Sequence, residues 1–320
     1  RRAQAALSLV EAGDEEALAL DALRQVTDLV LAPAIAALRV PGIERVIVVP
    51  PSELAGFPFE ALPLPHEAAG SELLGERFAL SYVPCATLIR HWNTGDPSGS
   101  SLVLAMADPV LSSEEERLPE GIPSVLRDLR RTPLPHARNE VAVFRGETVD
   151  VLIGEEATKS ELIDRLSDAP AVLHFATHAL VSGTAPENSC LLLSGEEGLL
   201  RASEVEGLPL EAELVTLSGC RTNGGFVYMG EGAFSLSRSF LLGGARSVVS
   251  SLWDVEDEAT ARLMGAFYSE LGDGVRRDEA LRRARVALAE DGAALRDRVG
   301  FVLTGAGSEP VEALILSLIH

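Results

Sequence analysis

The 320-residue chain holds a single lysine, Lys159. Thr158, not glycine, precedes it, so the Gly-Lys-Ser/Thr ending of a phosphate-cradling loop is absent and nucleoside triphosphate hydrolysis of that type is excluded. Positive charge is scarce throughout: 27 Lys plus Arg stand against 48 Asp plus Glu, a formal net charge of −21. Such a surface repels phosphate, which argues against nucleic acid as a partner, and it steers basic peptides inward. Cysteine is rare too. Cys85, Cys190 and Cys220 are an odd, scattered trio with no Cys-x-x-Cys pair, which suits reduced thiols in a cytoplasm and supplies neither a disulfide framework nor a zinc site. No apolar run approaches the roughly 20 residues that span a bilayer, and no basic segment leads into an apolar one at the N-terminus. A soluble, cytoplasmic chain with no membrane partner is expected. It starts Arg1-Arg2 without Met, and a piece of a longer polypeptide is expected.

Apolar residues make up 47% of the chain, enough for one large α/β domain or two smaller lobes. Residues 3–38 carry apolar positions at helical spacing, with a break at Pro33. Short β-type runs follow at 45–49 and 101–107, ended by Pro50-Pro51 and Asp108-Pro109. The stretch from 108 to 137 is polar and holds Pro109, Pro119, Pro123, Pro133 and Pro135, which predicts a long surface connection with a short helix at 125–129 and a boundary between lobes 1–137 and 138–320. Beyond it the pattern is regular. A helix is predicted over 139–144, strands at 149–153, 171–176, 190–193, 214–217 and 247–252, and helices near 231–242, 256–271 and 278–289. Thr158-x-x-Glu161 is a capping box that opens a further helix to Leu166. Strands alternating with helices predict a mostly parallel sheet covered on both faces, with working residues just past the carboxyl ends of strands.

Two stretches answer that description. Leu173-His-Phe-Ala-Thr-His178 and Leu217-Ser-Gly-Cys220 each set a reactive side chain beyond a β-type run, the layout of a thiol protease. The histidine precedes the cysteine by 220 − 178 = 42 residues, the order of caspase-like proteases and the reverse of papain-like ones. His174 and His178 do not form a metal pair: in an extended run rising about 3.3 Å per residue they lie roughly 13 Å apart, and the Glu of the zinc-protease pattern is missing. His174 reads as a core or supporting histidine, and His178 as the one with access to solvent and substrate. Cys190 and Cys85 read as small buried hydrophobes. Cys220 is followed by Arg221, Thr222, Asn223, Gly224 and Gly225, a turn whose N–H groups and cation stabilise a thiolate. The expected chemistry is attack by Cys220 on a peptide carbonyl, with His178 as general acid and then base, and with the N–H groups of Cys220 and Ala179 around the oxyanion. No Gly-x-Ser-x-Gly elbow offers a serine route. Gly230-Glu-Gly-Ala233 reads as a loop that starts a helix close to the sheet, not as a phosphate site. Neither a metal nor a cofactor is expected.

The chain resembles the CHAT domain, a caspase-like protease module often found behind TPR repeats. The resemblance rests on Arg45-Val-Ile-Val-Val-Pro50, Phe57-Pro-Phe-Glu-Ala-Leu62, Leu80-Ser-Tyr-Val-Pro84, the His178 and Cys220 stretches, Gly230-Glu-Gly-Ala233 and Gly243-Gly-Ala-Arg-Ser-Val-Val-Ser-Ser-Leu-Trp253. It implies that His178 and Cys220 are the catalytic pair, that residues to about 137 form a related α/β lobe without catalytic residues, and that a TPR or other sensor domain in the parent chain regulates the site. It also implies that the strand after the nucleophile lines the pocket for the residue before the cut. Here that segment contains Ser251, Trp253 and Asp254, and a carboxylate at Asp254 would favour Arg or Lys. Asp254, Glu256 or Asp257 would equally suit a helix cap. Ala179 stands where caspase-like enzymes usually have Gly, and Gly219 where Ala is common in the family. The rival readings are a catalytically silent caspase-like interaction module and, disfavoured by the missing phosphate loop, a nucleotide-binding module.

Overall fold

A computed structural model describes residues 1–13, 15–51, 54–64, 72–84, 86–87, 100–111, 134, 136–182, 186–218, 231–253, 255–311 and 314. The strands in chain order are β1 (Arg45–Val48), β2 (Ala79–Tyr82), β3 (Val103–Ala107), β4 (Val149–Ile153), β5 (Val172–Ala176), β6 (Ala179–Leu180), β7 (Cys190–Leu192), β8 (Leu199–Arg201), β9 (Leu214–Leu217), β10 (Ser247–Ser251) and β11 (Phe301–Gly305). Eight of them form one sheet in the order β4-β3-β5-β9-β10-β11-β2-β1, and β6, β7 and β8 form a smaller antiparallel sheet. In the large sheet the five strands from β4 to β10 run parallel. β11 turns against β10 and runs with β2, which pairs in parallel with β1. The sheet is continuous across residue 137: β2 and β3 precede that point, and β11, β5 and β4, to which they pair, follow it.

The β-branched and leucine-rich composition of the central strands reflects burial on both faces. Val103, Ala105, Val172, Leu214 and Val249 face one side, where the helices Ala137–Val141, Asp257–Gly272 and Arg277–Glu290 cover them with Val141, Leu263, Met264, Phe267 and Leu281. Leu104, Met106, Leu173, Phe175, Val215 and Val248 face the other, under the helices Lys159–Leu166, Ala202–Val205 and Glu231–Leu242. Each such Leu, Val or Phe contributes roughly 1.5–3 kcal/mol on leaving water. A third cluster joins the N-terminal helices Arg2–Ala12 and Glu16–Val30 to β2 and β11 through Leu23, Val26, Leu80 and Val302.

Local signals explain several boundaries. Thr158 Oγ1 accepts the N–H of Glu161 at 3.1 Å and opens the Lys159–Leu166 helix, while Glu161 pairs forward with Arg165 instead of closing the box. The N-terminal helical stretch breaks twice, at Gly13, which caps the first helix at φ 74°, and between Val30 and Ile35 around Pro33. The predicted helix at 125–129 lies outside the described residues.

Candidate active site at the ends of β5 and β9

β5 and β9 are hydrogen-bonded neighbours running in the same direction, with Val172 opposite Leu214, His174 opposite Thr216 and Phe175 opposite Leu217. The register offset is 214 − 172 = 42, the same number that separates His178 from Cys220. In the sequence His178 and Cys220 therefore each come three positions after the last paired couple, Phe175 and Leu217. Cys220 itself lies outside the described residues, as does Asp254.

His178 follows β5 through Thr177. The backbone there does not run out into solvent. It turns directly into β6, which pairs with β7, so that Leu192 N–H donates to the His178 carbonyl at 2.9 Å and the Thr177 hydroxyl donates to the carbonyl of Leu192. The consequence corrects one expectation: His178 is only 2% exposed, because the second sheet folds against the turn that carries it. That same pairing defines how Ala179 sits. His178 and Leu192 are a hydrogen-bonded pair, so Ala179 and Leu191 form the alternate, non-hydrogen-bonded pair and the Ala179 N–H is directed away from β7.

Two of the residues expected to line a substrate pocket are buried. Trp253 is 1% exposed, packs in the cluster with Leu252, Val299 and Val302, and donates its indole N–H to the Arg296 carbonyl at 3.1 Å. Its face and its donor are both taken up by this packing. Gly300 makes that packing possible, since a Cβ there would lie 2.5 Å from Val255 Cγ2 and 3.3 Å from Trp253 Nε1. Ser251 ends β10 beside β9, is 2% exposed, and its hydroxyl finds no hydrogen-bond partner among the described residues. The helix after this segment starts at Asp257 with Glu256 at the cap position but without a side-chain cap bond. Asp257 instead accepts the N–H of His136 at 2.9 Å, tying that helix to the segment that leads into β4.

Sequence reasoning missed what surrounds His174. Its Nδ1 lies 2.8 Å from the Tyr268 hydroxyl, which is 2.7 Å from Thr216 Oγ1, and its Nε2 lies 3.4 Å from Glu140 Oε2 and 3.5 Å from Ser218 Oγ. Burial pushes the Tyr268 hydroxyl far above its ordinary range, so it stays protonated. Asp108 was also missed as anything but a strand end. It follows β3 with φ 47°, a left-handed conformation that aspartate tolerates better than most residues. Its N–H donates to the Ala176 carbonyl at 3.1 Å, and its carboxylate accepts from Arg138 Nε at 2.7 Å. Cys190 is a fully buried thiol in β7, as its run of leucines predicts.

A mostly parallel sheet flanked by helices, with an imidazole leaving one central strand beside the strand that leads to a cysteine, defines a caspase-like α/β protein. The chain matches the CHAT domain over residues 20–305, and it belongs to that family. Among curated relatives it is 28% identical over 313 residues to human tetratricopeptide repeat protein 28, covering 82% of this chain and 12% of that protein. The mouse protein of the same name is 29% identical over 323 residues, again with 12% of its length covered. The chain thus spans about an eighth of the length of these relatives. In fold it is similar to the cysteine proteinase gingipain R, with a TM-score of 0.54 at 10% identity over 92% of this chain and 69% of that one. It is also similar to the Saccharomyces cerevisiae separase–securin complex, with a TM-score of 0.50 at 16% identity over 83% of this chain and 16% of that one. Among the described residues, no helix is long and apolar enough to cross a membrane.

Proposed function

We propose that this chain is a cysteine endopeptidase module. The observation that supports the reading is the match between the β5–β9 register offset and the His178–Cys220 spacing in the sequence. In the proposed cycle the Cys220 thiolate adds to a peptide carbonyl, and the C–N bond breaks as His178 protonates the leaving amine. His178 then takes a proton from water, which attacks the thioester and releases the acid product and the thiol. The Ala179 N–H, directed away from β7, supports it as one oxyanion donor, with the Cys220 N–H as the other. Residues to 137 supply framework and no reactive group in this reading, and a TPR or other sensor domain elsewhere in the parent chain controls access. A basic residue before the cut is favoured by the net charge of −21, with Asp254 as the carboxylate and Ser251 beside it.

A specific observation favours the second reading, a catalytically silent caspase-like interaction module. His178 is 2% exposed, so a substrate reaches it only if the covering segments shift. One experiment separates the two: mapping of proteome cleavage by the chain, alone and within its parent protein, against Cys220→Ala and His178→Ala. The protease reading expects new peptide termini with wild type that both substitutions abolish, enriched in Arg or Lys before the cut. Identical termini in all three samples under every condition would establish the silent module.

A further inference from the structure

The face of the sheet between β5 and β9 should, by the logic of the rest of the core, be apolar. Val172 and Leu214 face the helices there, yet the next positions on that face are His174 at 0% exposure, Thr216 at 0% and Ser218 at 5%. Opposite them the helices present Tyr268 at 0% and Glu140 at 2% exposure in place of further leucines. Phe144 stands edge-on to both rings, with centroids 5.6 Å from His174 and 4.5 Å from Tyr268. Five polar side chains taken out of water are costly, and apolar residues of similar volume would stabilise the sheet more. A structural account by itself gives no reason for them. Their common feature is position. His174 bridges the two strands at the one register pair, His174 opposite Thr216, that lies four residues before both His178 and Cys220. One ring nitrogen reaches Thr216 through the Tyr268 hydroxyl, and the other reaches Ser218, two residues before Cys220 in the chain.

We infer that His174, with Glu140 and Tyr268, is a positioning residue: a polar tie across β5 and β9 that fixes where the two strands release the residues at 178 and 220. Apolar contacts slide with little penalty, whereas a ring held at both nitrogens has one setting. Tyr268, on the Asp257–Gly272 helix, is hydrogen-bonded at the Nδ1 edge; Ser218 lies at the Nε2 edge, where Glu140, on the Ala137–Val141 helix, stands 3.4 Å away without a hydrogen bond. The inference rests on the protease reading for its purpose, but not for its test.

That test is the alkylation rate of Cys220 by iodoacetamide, read on the Cys220 peptide by mass spectrometry, with thermal unfolding measured on the same samples. Tyr268→Phe removes one oxygen, His174→Leu removes both ring nitrogens, and His174→Asn keeps a donor at the Nδ1 position. Tyr268→Phe and His174→Leu are each expected to slow alkylation by about tenfold. The double variant should be no slower than His174→Leu alone, because one tie has been cut twice, and His174→Asn should recover part of the rate. Wild-type rates in Tyr268→Phe and His174→Leu overturn the inference, as do losses that merely follow the unfolded fraction. If His174→Leu does not fold, Tyr268→Phe alone decides. Slowed alkylation in the variants of a wild-type chain that cleaves nothing would sink the protease reading and leave the tie standing.

Discussion

Tyr82 is fully buried, and its hydroxyl is used twice: it accepts the N–H of Phe59 at 3.1 Å and donates to Glu60 at 2.5 Å. Burial raises the Tyr82 hydroxyl and the Glu60 carboxyl alike, and it lowers Arg285, whose guanidinium lies 3.9 Å from Glu60 and donates to the carbonyls of Gly75, Phe301 and Arg298. Tyr82→Phe strands a buried N–H and a buried carboxyl oxygen together, and should cost about 1–3 kcal/mol. Urea titration should show this as a lower midpoint at unchanged slope. At this scale some of the chemistry was legible and some was not. The 42-residue spacing of His178 and Cys220 was legible, and the β5–β9 register repeats it. The partners of His174 did not, because Tyr268 is 94 residues away in sequence and on a helix whose apolar periodicity makes it look like one more core position.

Elements were readable where periodicity alone decides them. β3, β4, β5, β9 and β10 are β-branched or leucine-rich runs with turn residues behind them, and they form within two residues of the predicted ends. β2 was not read as a strand because Ser81 and Tyr82 interrupt its apolar run, and β6 and β8 are too short, at two and three residues, to show a period. The Arg277–Glu290 helix carries a prediction of its own. Glu279 is flanked by Arg282 and Arg283 at 2.7 and 2.9 Å, and hydrogen bonds from these guanidiniums hold its carboxyl down to about 2. A depressed carboxyl stabilises the fold above its unfolded value of about 4.3 and loses that contribution as pH falls towards 2. Glu279→Gln should therefore lower stability at pH 7 by about 1 kcal/mol, after allowance for screening of these helix-surface pairs. The gap between variant and wild type should close between pH 4 and 2, as thermal melts across that range would record.

At the scale of the molecule, the parallel five-strand body followed from strand–helix alternation, but the reversed trio did not. Nothing in the apolar pattern of Phe301–Gly305 shows that it lies antiparallel to β10 and carries β2 on its far edge. Among the described residues, that strand is the single link in the sheet between β1–β2 and everything else. A chain ending at Gly300 should keep helical circular dichroism yet lose the cooperative transition, and limited proteolysis should release the segment around β1 and β2 first. A chain ending at Leu314, which keeps the buried Val311 and Leu314, should retain both properties.

β2 closes at Tyr82 and its partner β11 opens at Phe301, so synthesis separates them by 301 − 82 = 219 residues. At roughly 5–20 residues per second on the ribosome, β1 and β2 are made tens of seconds before the edge they belong to exists. During that interval the apolar flank of Leu80 and Val48 is available to any passing strand. The nascent chain is thus exposed to misassociation at β1 and β2 until β11 has been made, and a chaperone that engages it in that interval would find its purchase there.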